Sequence, residues 1–333
     1  MRRVRILPVL LILAGLVAFA GGAAAGAGAT AHKPKAKPKP SARVGVADEQ
    51  PTTFGRPAFK ALRTTISRYV TPYDVATNRS HNDLPRLRQW LAAAGRDHIQ
   101  PLIAFYHSDR TPRKMPSVKA YTADIKRFHR MFPHVALLQP WNEANRGYVK
   151  AGHGSYASPN AKQSAEYYLA VKHACPRCTV VGLDVLDSTN VKATVRYINE
   201  FKRDLGRRPR PTVWGLHNYS DTNRFHSTGT RAVLANTTGQ VWLTETGGIA
   251  KLASSFPFNL RRQSRATSYM FSLAGISRRI TRLYIFQWTG GNAKKERFDA
   301  GLTNIAGKPR PAYCVVYKHV RHTRRCPYRT VSN

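Results

Sequence analysis

Along the chain, short runs of β-branched and aromatic residues alternate with stretches in which apolar residues recur at helical spacing. The runs predict strands over Ala42–Val46, Thr65–Val70, Ile99–Phe105, Val135–Gln139, Thr179–Leu183, Thr212–Leu216, Val241–Thr244 and Leu283–Trp288. Most are nearly continuous apolar stretches, the pattern of strands covered on both faces in a parallel sheet. Between them, Leu84, Leu87, Trp90 and Leu91 stand at i, i+3, i+6 and i+7, and Tyr121, Ile125, Phe128 and Phe132 at i, i+4, i+7 and i+11. Val191, Val195, Ile198 and Phe201 form a third stripe, and Tyr269, Leu273 and Ile276 a fourth. Each is one helix face suited to packing on a sheet. Ser117 and Asn190 sit where N-cap residues belong.

Eight strands alternating with helices predict an α/β fold, a (β/α)8 TIM barrel that forms a single domain over residues 42–333. A doubly wound sheet is the rival architecture. It wants a Gly-rich phosphate turn after an early strand, and VGVADEQ after the first strand has none.

The first 41 residues follow a different pattern. Arg2, Arg3 and Arg5 precede an apolar run from Ile6 to Ala20, and Ala29-Thr30-Ala31 offers a small-residue cleavage site. Residues 1–31 are therefore expected to be a secretory signal peptide, leaving no membrane span in the mature form. Residues 32–41 alternate Lys and Pro and are expected to form an extended, solvated linker.

Charge changes the picture further. The 333 residues include 54 Lys+Arg and 17 Asp+Glu, a formal net charge of +37. The first 40 carry seven basic residues and no acid, so about +30 belongs to the barrel. Such a surface attracts anionic polymers, and for an exported protein these include acidic cell-wall polymers. Lys and Arg are scattered along the chain without a recognised nucleic-acid motif, so no specific nucleic-acid partner is expected. Four cysteines in an exported chain favour two disulfides. Local pairing, Cys175 with Cys178 and Cys314 with Cys326, ranks first of three connectivities.

Scarcity makes two acids informative. Glu143 falls just after the fourth strand and Glu245 immediately after the seventh. In a barrel of this kind, strand C-termini converge on one mouth. Two carboxyls there fit cleavage of a glycosidic bond, one protonating the leaving oxygen while the other attacks the anomeric carbon or activates water. The structural alternative is a pair of buried carboxylates balanced by arginines. No G-x-S-x-G elbow or P-loop is present to support other hydrolytic chemistries.

Trp141-Asn142-Glu143 after strand four, His217-x-Tyr219 after strand six, Glu245 after strand seven and Trp288 after strand eight together resemble the retaining glycoside hydrolases of clan A. The resemblance spans about Ala42 to Tyr317. It implies Glu143 as acid/base and Glu245 as nucleophile in a double displacement on a β-linked glycan. It further implies that Asn142 binds a sugar hydroxyl, that His217 and Tyr219 support the two carboxyls, and that Trp288 floors the −1 subsite. Arg68 on strand two matches the clan's nucleophile-binding arginine, and His107 matches a histidine of the clan more loosely. The clan's motif is Asn-Glu-Pro, and here Ala144 replaces the proline.

Asp48 and Asp184, after strands one and five, are weaker candidates for substrate hydrogen bonds. Tyr106 and Tyr148 add aromatics near the mouth, and Trp214 and Phe286, inside strands, are read first as core packing. The expected partner is a polysaccharide or oligosaccharide, the expected state a monomer, and the chemistry requires no cofactor or metal. The alternative to the enzyme is a non-catalytic cell-wall polysaccharide-binding protein on a glycosidase-like barrel.

Overall fold

A computed structural model describes residues 42–78, 82–149, 156–291 and 296–332, and eight parallel strands in it close into a barrel. They are β1 (Arg43–Ala47), β2 (Ile66–Pro72), β3 (Gln100–Tyr106), β4 (Leu137–Gln139), β5 (Thr179–Leu186), β6 (Val213–His217), β7 (Gln240–Thr246) and β8 (Ile280–Phe286). Each pairs with the next, and β8 returns to β1 in parallel, Val44 opposite Leu283. A helix follows each strand: α1 (Pro57–Leu62), α2 (Asp83–Arg96), α3 (Val118–Met131), α4 (Ala161–Ala174), α5 (Val191–Leu205), α6 (Thr228–Asn236), α7 (Leu260–Ala274) and α8 (Pro311–Val320). The expected signal peptide and linker, residues 1–41, lie outside the described residues.

The strand alternation creates two cores. Ala47, Ile66, Leu102, Leu137, Val181, Val213, Trp242 and Tyr284 point inward and fill the barrel. The opposite parity, with Tyr69, Ile103, Phe105, Leu138 and Leu243, packs against the helix layer. On α2 and α3 the predicted stripes are the buried faces, with Leu87, Trp90, Tyr121, Ile125 and Phe128 fully enclosed. On α5 the buried face is rotated relative to the predicted stripe. Ile198 and Phe201 of the stripe are fully buried, but Ala193, Thr194 and Tyr197 are buried with them while Val191 and Val195 lie at the margin. The Thr194 hydroxyl bonds the Leu186 carbonyl at 3.3 Å and the Tyr197 hydroxyl the Pro159 carbonyl at 2.8 Å. Ser117 and Asn190 cap α3 and α5, accepting from Ala120 N at 3.2 Å and Ala193 N at 3.1 Å.

Disulfides join Cys175 to Cys178 and Cys314 to Cys326. The second ties the segment after α8 back onto that helix. Among the described residues no helix is long and apolar enough to cross a membrane.

Candidate active site

The barrel's inward parity leads directly to the site. Above the apolar filling, Arg68 on β2, Gln139 on β4, Asp184 on β5 and Thr244 on β7 form a polar layer, all of them buried. Above that layer stand Asn142 and Glu143 in the turn after β4, His217 at the end of β6 and Glu245 on β7. His217 and Glu245 are register partners. Registers slip between Val181 and Asp184, between Gly215 and His217, and between Leu243 and Thr246. These irregularities turn Asp184 and Glu245 toward the mouth, where strict alternation would set them on the opposite parity to Val181 and Trp242.

Glu143 and Glu245 meet. One carboxylate oxygen of each, with a ring nitrogen of His217, forms a triangle whose members all lie within 4.8 Å of one another. Both glutamates retain 8% exposure, so their carboxyls look into the mouth rather than into the core. Arg68, fully buried, donates from Nη1 to Glu245 Oε1 at 2.7 Å and from Nη2 to Asn142 Oδ1 at 2.6 Å. Its Nε donates to Gln139 Oε1 at 3.3 Å. The Tyr219 hydroxyl donates to Glu245 Oε2 at 3.3 Å. Arg146, three residues beyond Glu143, ion-pairs through Nη1 with Glu143 Oε2.

Asp184 organises the rest. Its Oδ2 lies 2.9 Å from His217 Nε2 and accepts from Glu143 N at 3.1 Å, and its Oδ1 accepts from the Thr244 hydroxyl. Gly215 makes room for that carboxylate, since a Cβ there would stand 2.2 Å from Asp184 Oδ1. Burial opposes its charge, but His217 holds the Asp184 carboxyl below the usual range. Burial likewise opposes a proton on His217, yet Asp184, Glu245 and Glu143 together push it up to about 10. His217 is therefore an imidazolium at neutral pH, with Nδ1 3.3 Å from Glu143 Oε1 and 3.5 Å from Glu245 Oε2. This triangle has the spacing of a metal site, but the His217 proton, both guanidiniums and the Tyr219 hydroxyl already face its donor atoms.

Glu143 has φ +49°, in the left-handed region. Its own N–H is held by the Asp184 carboxylate, and the next N–H, of Ala144, donates to the Asp184 carbonyl at 2.9 Å. That bond explains the missing proline, which has no N–H to give and disfavours this conformation in the residue before it.

Two expectations are corrected. Trp288, expected to floor the mouth, is 1% exposed and packs edge-on against Phe59 and Tyr313 in the helix layer. β8 ends at Phe286, so the chain has turned before Trp288 and its ring faces outward. The inward aromatic is Phe286, partly open and adjoining Phe298, which in turn contacts Tyr219. Asp184, read as a substrate ligand, is 1% exposed with both oxygens engaged by protein. His107 has Nδ1 3.3 Å from the Ser108 carbonyl and its ring stacked on Tyr156 at 4.2 Å, and it interacts with Arg146, the ion-pair partner of Glu143. Asp48 is taken up by its own loop, accepting from Gln50 N and the Thr53 hydroxyl, each at 2.8 Å. The Tyr148 side chain lies outside the described residues.

Arg146, Gln139, Phe298 and Glu49 escaped the sequence reading. Only Arg146 carried a usable signal, its i+3 spacing from Glu143 on a turn. Glu49 lines a cavity of about 360 Å³ with Asp48, Arg56, Gln287 and Thr289. Burial, and behind it the charges of Asp48 and Glu245, push its carboxyl up to about 8.

No sequence profile of a known family matches the chain, and no curated protein matches it in sequence. Its fold does have counterparts. A family 5 (subfamily 18) enzyme of Streptomyces cattleya, solved with GlcNAc, superimposes with a TM-score of 0.61 at 14% identity over 87% of this chain and 82% of its own. Xylanase 10B of Thermotoga maritima gives 0.58 at 13%, covering 85% and 96%, and a family 39 glycoside hydrolase of Bacteroides cellulosilyticus gives 0.53 at 15%, covering 84% and 63%. The chain carries the barrel fold of the clan A glycoside hydrolases. At these identities the likeness is one of fold.

Proposed function

We propose that the protein is an exported retaining glycoside hydrolase acting on a β-linked glycan, with Glu143 as acid/base and Glu245 as nucleophile. The observation that carries this reading is the approach of one carboxylate oxygen of Glu143 to one of Glu245 within 4.8 Å across the mouth. A double displacement needs carboxyl groups about 5–5.5 Å apart, whereas inversion needs roughly 6.5–9.5 Å to fit a water between them. Glu245 attacks the anomeric carbon from one face as Glu143 protonates the departing oxygen. A water deprotonated by Glu143 then cleaves the glycosyl ester. Arg68 and Tyr219, one on each oxygen of Glu245, hold the nucleophile aimed. With its carbonyl turned to Arg68, Asn142 presents its NH2 end to a sugar hydroxyl. Phe286, Phe298 and Tyr219 supply the apolar face for a pyranose ring. The N-terminal signal and the Lys/Pro tether complete the reading as export followed by extension from an anionic wall.

A second reading, a polysaccharide-binding barrel without turnover, is favoured by one observation: Arg146 and His217 both contact the carboxyl of Glu143. Kinetics on aryl β-glycosides separate the two. Glu143→Gln and Glu245→Gln are each expected to lower turnover roughly a thousandfold or more, with azide rescuing each variant to a glycosyl azide of opposite anomeric configuration. An untouched rate in either variant removes that residue's role, and binding without product release by the wild type establishes the second reading.

A further inference from the structure

A general acid must be neutral when the glycosidic bond breaks, and the surroundings of Glu143 are set against that. Facing it are Arg146 from its own turn, His217 from β6, Tyr219 just after β6, Glu245 from β7 and Tyr106 from β3, with the Asp184 carboxylate of β5 on its backbone N–H and Arg68 of β2 behind Glu245. Counted as ions, Arg68, Arg146 and His217 balance Glu143, Glu245 and Asp184. Tyr106 and Tyr219 are neutral, and so is Glu49 at neutral pH. The balance therefore holds only while Glu143 is ionised. When Glu143 takes a proton, Arg68 keeps Glu245 and His217 keeps Asp184, so the charge left over is Arg146. Its side chain is 32% exposed, within reach of the open mouth yet partly withdrawn from water, where an unmatched charge is costly. Arg146 also interacts with Tyr106 and His107, and the His107 ring is stacked on the exposed Tyr156 at 4.2 Å, so aromatic faces for a sugar ring lie close to the guanidinium.

We propose that Arg146 is the receptor for a carboxylate on an acidic glycan, a uronic acid next to the scissile bond, and that binding this group releases Glu143 to act as the acid. This rests on the glycosidase reading given above. A uronate carboxylate is the same chemical group that Arg146 now holds, so it exchanges for Glu143 without loss of charge-assisted hydrogen bonding. Glu143, freed from the guanidinium, takes up one proton from solvent and presents it to the glycosidic oxygen. A neutral sugar leaves the ion pair intact and Glu143 charged. Recognition of an acidic substrate and arming of the acid are then one event.

Calorimetry tests this without needing turnover. Glucuronate, galacturonate and disaccharides bearing them are titrated into the whole protein beside glucose, galactose and the neutral disaccharides, in two buffers of different ionisation enthalpy. The wild type is expected to bind the acidic sugars at least tenfold more tightly and to take up about one proton on doing so. Arg146→Gln is expected to erase the preference. Glu143→Gln keeps or strengthens it, because Arg146 is already released, and abolishes the proton uptake. Equal binding of acidic and neutral sugars by the wild type, or a preference that survives Arg146→Gln as diffuse surface charge would produce, overturns the proposal. If the expected pattern appears while no glycoside is cleaved, the acidic-sugar site stands and the hydrolase reading falls.

Discussion

At the residue scale, the site is a set of charges that define one another's protonation. Asp184 shows this most clearly, because it touches no substrate position and yet fixes His217 as a cation and pins the backbone of Glu143. The pH dependence follows from the direction of the His217 shift, from 6.5 up to about 10. A group whose folded pKa is raised gives its full contribution to stability below its unfolded value and loses it as pH rises through the folded one. The wild type should therefore lose stability between about pH 6.5 and 10. In Asp184→Asn the first attractive partner is gone, so the His217 titration moves down and the loss of stability is smaller and complete at lower pH. Melting temperatures across pH 6–10, with the imidazole followed by NMR, check this. An unchanged midpoint for His217 would mean that Asp184 does not set its charge.

At the element scale, the turn after β4 departs most from the clan pattern. Here rigidity comes from the Ala144 N–H bonded to the Asp184 carbonyl, not from a proline ring. Ala144→Pro, although it restores the clan's motif, is expected to destabilise this protein. It leaves a buried carbonyl unpaired at a cost of about 1–3 kcal/mol and opposes the left-handed conformation of Glu143. Thermal denaturation checks it, and a variant as stable as the wild type would show that the turn has another support. The same scale explains Trp288. The predicted strand ran two residues too far, and past Phe286 the strand alternation no longer says which way a side chain points.

At the scale of the whole molecule, a net charge of +37 makes long-range attraction to polyanions unavoidable at low salt. Exposed charges are screened over about 10 Å at 0.1 M salt, so this attraction is expected to weaken steeply with ionic strength. Retention on a teichoic-acid or heparin column should be strong in dilute buffer and lost by a few tenths molar salt, and Arg146→Gln should elute with the wild type. Retention that ignores salt would point to a specific site instead. The diffuse field brings acidic polymer to the surface, while the uronate preference assigned to Arg146 depends on a single side chain.

The barrel was legible in the sequence because it rests on local periodicity. Continuous apolar runs, helical stripes and the caps at Ser117 and Asn190 depend on neighbours close in the chain, and the observed strands differ from the predicted ones by at most a few residues at their ends. Glu143 and Glu245 were legible for a related reason, since a scarce charge at the end of an apolar strand is costly without a role. The rest was decided by the tertiary structure. Asp184 reads as one more acid after a strand until register slips and the absence of a Cβ at Gly215 turn it into a buried hub for β4, β6 and β7. Phe298 reaches the mouth from a two-residue strand whose pairing with Lys251–Leu252 no pattern announces. Periodicity encodes which face of an element is buried, but which charges share a proton depends on distances between strands far apart in the chain, and barrel closure alone sets those.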